Sequence, residues 1–224
     1  MSELEITEEG ELLENYTLHP FIKALGVFFS WLFHPLLLIV WVSWYLLYVN
    51  DLIFLGMDSF DRLKVFLRIL STSVFLPLIT VLLLKGLGFI KSIQLRTQKE
   101  RIIPYVACIT FFFWSYYVSK QLDDPGELRA FLLTLFITAS AALIINNYMK
   151  ISMHALGAGS LFCFFMLLLF HGRIEESLPL LAVVFVSGII CSSRLIASDH
   201  YPFEVGFGFV MGFLIQLVCW FIAT

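Results

Sequence analysis

Seven apolar runs, each long enough to cross a bilayer, follow one another along most of this chain and leave it few ways to fold. They cover residues 21–48, 65–84, 103–119, 130–148, 154–170, 178–193 and 203–223. A hydrocarbon layer about 30 Å thick takes roughly 20 helical residues, and backbone groups inside it must bond within their own segment or close into a barrel. The expected fold is an all-α polytopic membrane protein, a bundle of about seven transmembrane helices joined by short loops. The 224 residues leave no room for a separate soluble domain, so the expected division is an acidic N-terminal leader at 1–20 and a helical membrane domain at 21–224. The leader carries no Lys or Arg, unlike the start of a cleavable signal peptide. With 14% charged residues and a net charge of −3, the chain has no basic surface for a nucleic acid. Cys108, Cys163, Cys191 and Cys219 lie in apolar runs without paired spacing, which suggests neither a disulfide framework nor a metal site.

The chemistry concentrates between Ser193 and Gly206. Arg194 and His200 are separated by a short turn, and Glu204 follows His200 by four residues with Pro202 between them. If Pro202 opens a helix, Glu204 can reach back to the His200 ring. A carboxylate on one imidazole nitrogen leaves the other as a nucleophile or base, and Arg194 offers a planar fork for an anion. The plainer reading is a capped loop at the membrane surface.

Spatial parity separates these readings. With seven spans, the loops after the second, fourth and sixth share one side of the membrane. Those loops hold Lys99 and Arg101, Ser152 and His154, and Arg194 and His200. Each precedes a helix whose N-terminus presents unpaired N–H groups and the positive end of its dipole, which is where an anion binds. Ser152 has the position of an N-cap. His34-Pro35 interrupts the first run; a buried His is a functional candidate, but beside a kinking Pro it is read as structural. The acidic turn around Pro125-Gly126 is read as a connector, and His171 receives no role. Gly208 and Gly212 form a small-residue seam for helix packing within the chain.

The third of these clusters resembles a motif of the type 2 phosphatidic acid phosphatase superfamily, which includes the vanadium haloperoxidases. That motif is Ser-Arg, five residues, His, three residues, Asp; Ser193-Arg194, His200 and Glu204 match it in full spacing, with Glu for Asp. The second motif, Pro-Ser-Gly-His, meets Ile151-Ser152-Met153-His154 and keeps its Ser and His. The first, Lys, six residues, Arg-Pro, is compressed into Lys99, Arg101 and Pro104, with Lys150 or Arg96 as substitutes for its Lys. The resemblance implies a divergent, metal-independent phosphatase of lipid phosphates without a cofactor. His200 would be the nucleophile that forms a phosphohistidine, Glu204 would orient it, and His154 would serve as general acid. Arg194, Ser152, Arg101 and Lys99 would hold the phosphate oxygens. The implied partners are a membrane lipid phosphate and the bilayer. The alternative is a catalytically degenerate member that acts as a lipid-binding or assembly subunit.

Setting aside Lys99, Arg101, Lys150 and Arg194 as phosphate ligands leaves Lys23, Lys85, Lys91 and Arg96 on the motif side. The other side keeps Arg62, Lys64, Arg68, Lys120, Arg129 and Arg173. The positive-inside rule then turns the site away from the cytoplasm, and the expected location is a bacterial inner membrane. An intramembrane serine hydrolase built on Ser160 is disfavoured, because Gly157, Gly159 and Ser160 read as packing residues.

Overall fold

A computed structural model describes residues 3–6, 12–15, 19–90, 98–197 and 200–224. Lys91 and Arg96 lie outside the described residues. The helices are α1 (Pro20–Leu32), α2 (Pro35–Val49), α3 (Ser59–Gly86) and α4 (Gln98–Gln121), followed by α5 (Gly126–Ile145), α6 (Met153–Phe170), α7 (Leu178–Ile196) and α8 (Pro202–Ala223). Among the described residues six of these are long and apolar enough to cross a membrane, and the bent pair α1 and α2 supplies a seventh crossing if it is one span. The chain is an all-α polytopic membrane protein. One departure lies in the leader, where β1 (Glu3–Ile6) and β2 (Leu12–Asn15) pair antiparallel with Glu3 opposite Asn15.

The first apolar run is two helices, not one. Pro35 has no N–H and excludes the helical region for the residue before it. His34 accordingly takes ψ 139°, and α1 and α2 meet at 54°. Both open on the same device: His19 precedes Pro20 and His34 precedes Pro35, and each imidazole Nδ1 accepts from the backbone N–H two residues on, at 3.3 Å. Helix α3 begins at Ser59, six residues before the expected 65, because Asp58 caps it by accepting from the Asp61 N–H at 2.7 Å. It passes through a π-helical turn at Ser71–Phe75, just ahead of Pro77, whose missing N–H would otherwise break the ladder. Helix α5 starts at 126 rather than 130 and ends at 145 rather than 148, since Asn146–Met149 turn away from it.

Helix α6 is apolar on all sides and sits centrally, against α8, α7, α5 and α2. Its contact with α8 runs backbone to backbone. A Cβ on Gly159 would lie 1.9 Å from the Phe209 oxygen, and one on Gly212 would lie 2.0 Å from the Leu156 oxygen. Ser160 donates to the Gly212 oxygen at 3.0 Å, so the small residues on α6 serve packing. On the face away from the motifs, the acidic turn is more than a connector. Asp124 is buried, accepts from Ser119 Oγ at 2.6 Å and pairs with Arg68, joining α3 to the end of α4. Arg173 and Glu127 pair there at 2.6 Å. His171 places Nδ1 2.9 Å from the Leu167 oxygen of its own helix.

Candidate active site

The start of α8 carries the central pair. Pro202 opens the helix and Glu204 sits on its first turn, four residues after His200. That geometry puts His200 Nδ1 2.8 Å from Glu204 Oε2, and the Tyr201 N–H donates to the same oxygen at 3.3 Å. A carboxylate only accepts, so the ring proton is on Nδ1 and Nε2 keeps its lone pair. Burial lowers the His200 pKa from the ordinary 6.5, Glu204 opposes that shift, and the charges of Arg194 and Lys150 add to it.

Arg194 lies in the last turn of α7 and donates through Nη1 to Ser30 Oγ at 3.1 Å. Ser193 donates to the Ile190 oxygen at 2.7 Å. Its proton is thereby committed, so in the 3.2 Å contact between the two hydroxyls Ser30 donates to Ser193. The result is a directed chain from guanidinium to Ser30, to Ser193, to the helix carbonyl.

His154 stands in the first turn of α6. Its Nε2 is 3.0 Å from the Ser30 oxygen, and its ring meets that of His34 edge to face, with centroids 5.5 Å apart. Ser152 is fully buried and accepts from the Ala155 N–H at 3.4 Å, which makes it the N-cap expected of it. Gly208 keeps α8 against that cap, since a Cβ there would meet the Ser152 oxygen at 3.1 Å. Arg101, from the first turns of α4, directs Nη1 to the Ile151 oxygen at 3.5 Å.

The structure thus gathers His200, Glu204, Arg194, His154, Ser152 and Arg101 at the starts of α4, α6 and α8 and the end of α7. Lys99 is exposed at the start of α4. Lys150 is near enough for His200 to sense its charge. Sequence reasoning missed Ser30 altogether and gave His34 a structural role only. The one signal for either was the His34-Pro35 pair, which ends a helix and exposes the carbonyls of its last turn.

Three helix N-termini, two arginines and a carboxylate-held imidazole are groups of the kind from which an anion site is built. No curated protein and no solved structure matches the chain. Residues 145–224 match the PAP2 superfamily. That segment holds α6, α7 and α8 and with them His154, Arg194, His200 and Glu204, and over it the chain is similar to the PAP2 superfamily.

Proposed function

We propose that this chain is a membrane phosphatase that hydrolyses a phosphomonoester or diphosphate of a lipid through a phosphohistidine on His200. The observation that carries this reading is the 2.8 Å contact between His200 Nδ1 and Glu204, which leaves Nε2 with its lone pair and stabilises the cation that forms when it attacks phosphorus. In the first step Nε2 bonds to phosphorus, the bond to the leaving oxygen breaks, and His154 gives that oxygen a proton. In the second, water attacks phosphorus, the P–N bond returns its electron pair to Nε2, and His154 takes the proton. Arg194 and Arg101 neutralise the phosphoryl oxygens, helped by the α6 and α8 N-termini. Ser152 contributes its place at the α6 start, and Lys99 swings in from the surface of α4 when phosphate binds.

The site at the rim of an apolar bundle suits a substrate that stays in the bilayer and offers only its phosphate. We place residues 21–224 together as the catalytic membrane domain, in a bacterial inner membrane with the site on the non-cytoplasmic face. Labelling of a cysteine at position 99 by an impermeant thiol reagent from outside the cell tests that side.

The test of the activity is phosphate release from a panel of lipid phosphates in detergent without divalent metal, beside His200→Ala. Release that vanishes in the variant, with an acid-labile phosphoryl group trapped on the wild type, supports the reading. No release by folded protein would sink it in favour of a lipid-binding or assembly subunit.

A further inference from the structure

The end of α1 leaves carbonyls without helical partners, and that of Ser30 meets His154. In an unbroken helix the Ser30 oxygen would accept from the N–H of residue 34. Pro35 holds His34 out of the helical region; the His34 N–H bonds instead to the Trp31 oxygen at 3.2 Å, and the Phe33 N–H to the Phe29 oxygen at 2.9 Å. The orphaned oxygen is 3.0 Å from His154 Nε2. A carbonyl cannot donate, so the imidazole must carry a proton on Nε2. Nδ1 is then the nitrogen left to exchange protons.

We propose that the break between α1 and α2 is a positioning element of the candidate site: the Ser30 carbonyl fixes the His154 tautomer, and the Ser30 hydroxyl sets the Arg194 fork. Ser30 lies outside the segment that matches the family, and its two groups touch one residue from each of the second and third family-like motifs. His34 keeps the ring plane. Its Nδ1 is occupied by the Leu36 N–H at 3.3 Å, and its ring stands at 89° to that of His154. Gly26 brings α1 close enough, since a Cβ there would lie 2.7 Å from Ile196 Cγ2 on α7.

The catalytic meaning of this rests on the phosphatase reading, and it assigns atoms to the proton steps. A monoprotonated phosphate passes its proton to the bare Nδ1 of His154 as it binds; as the phosphorus–oxygen bond breaks, the leaving oxygen keeps the electron pair and takes that proton from Nδ1. The ring returns to its neutral form with Nε2–H still on Ser30. When water attacks the phosphohistidine, its proton goes to Nδ1 and the P–N electron pair to His200.

The experiment is nitrogen NMR on the full chain labelled with ¹⁵N-histidine in micelles, with His154→Asn to assign the resonance among five histidines. The expected wild-type spectrum has His154 protonated on Nε2 and bare at Nδ1, and added inorganic phosphate moves Nδ1 while Nε2 keeps its proton. Pro35→Ala lets the His34 N–H claim the Ser30 oxygen, so the single tautomer gives way to a mixture. Turnover follows: kcat of this variant falls roughly 10²-fold with KM held within about twofold, as expected for a disturbed acid–base group.

Ser30→Ala keeps both the carbonyl and the break, and so guards against a Pro35 variant that does not fold. Its tautomer stays on Nε2, while KM rises about fivefold through the loosened Arg194 fork. A wild-type His154 protonated on Nδ1, or a tautomer that survives in folded Pro35→Ala, overturns the proposal. A chain with the Nε2 tautomer and the phosphate response that hydrolyses no lipid phosphate upholds the positioning and overturns the phosphatase reading instead.

Discussion

Glu204 replaces an Asp of the family pattern, and the contact it makes shows what the longer side chain does. With α8 starting at Pro202, the carboxylate reaches His200 Nδ1 at 2.8 Å. An Asp at this position would fall short by one carbon–carbon bond, about 1.5 Å. Glu204→Asp is therefore expected to lower kcat by roughly 10- to 100-fold, even though it restores the family residue; unchanged kcat would mean that the His200 loop closes the gap. The pKa of His200 makes a second expectation. Burial holds it below 6.5 against the pull of Glu204. A lowered pKa keeps the ring neutral, and so nucleophilic, to lower pH, and the acid limb of kcat/KM should fall below pH 6.5. Glu204→Gln removes a raising influence, so that limb moves further down; a limb above 6.5 in the wild type would assign it to another group. The His200 and Glu204 pair was legible in the sequence because a four-residue spacing with a helix-opening Pro dictates it. Ser30 was not, because the group that acts there is in part a main-chain oxygen, which every residue has.

Among the helices, the α6 and α8 contact decides how far His154 stands from His200. Gly159 and Gly212 allow it, each facing a carbonyl at a distance no Cβ tolerates. Gly212→Ala should separate the two helices and cost about 1–3 kcal/mol, as overpacking does, with activity lost in step. Gly188→Ala on α7, which meets nothing within 4 Å, is the control and should leave both intact. Thermal unfolding in detergent beside phosphate release reads both. The seam was visible in the sequence as small residues four apart. The helix ends were less so: the runs gave apolar length, whereas Asp58, Pro125 and Asn146 set where α3 and α5 begin or stop. The break at His34-Pro35 was visible as a kink, but its 54° angle depends on α1 packing on α7 and α2 on α6. The paired strands of the leader had no apolar alternation strong enough to announce them.

At the scale of the molecule, the two faces divide their polar residues by task. Parity of the spans made this readable, since loops after alternate helices must meet. The face away from the site spends its charges on pairing, with Asp124 buried beneath Arg68 and Ser119. Arg68→Ala should strand that carboxylate and cost about 3 kcal/mol while leaving kcat and KM unchanged, measured by unfolding and by turnover on the same sample. What parity could not show was that α1, on the site side, would complete the cluster. Ser30 and His154 are separated by 124 positions, and Ser30 and Arg194 by 164. At roughly 5–20 residues per second of translation, the ribosome takes about 6–25 s after making Ser30 before His154 exists at all. The first helix inserted is thus locked only when the seventh arrives. Until α7 enters the bilayer, α1 has neither the groove for Gly26 nor the guanidinium for its serine, and a chain stalled before that point would hold a motif histidine whose proton has no fixed home.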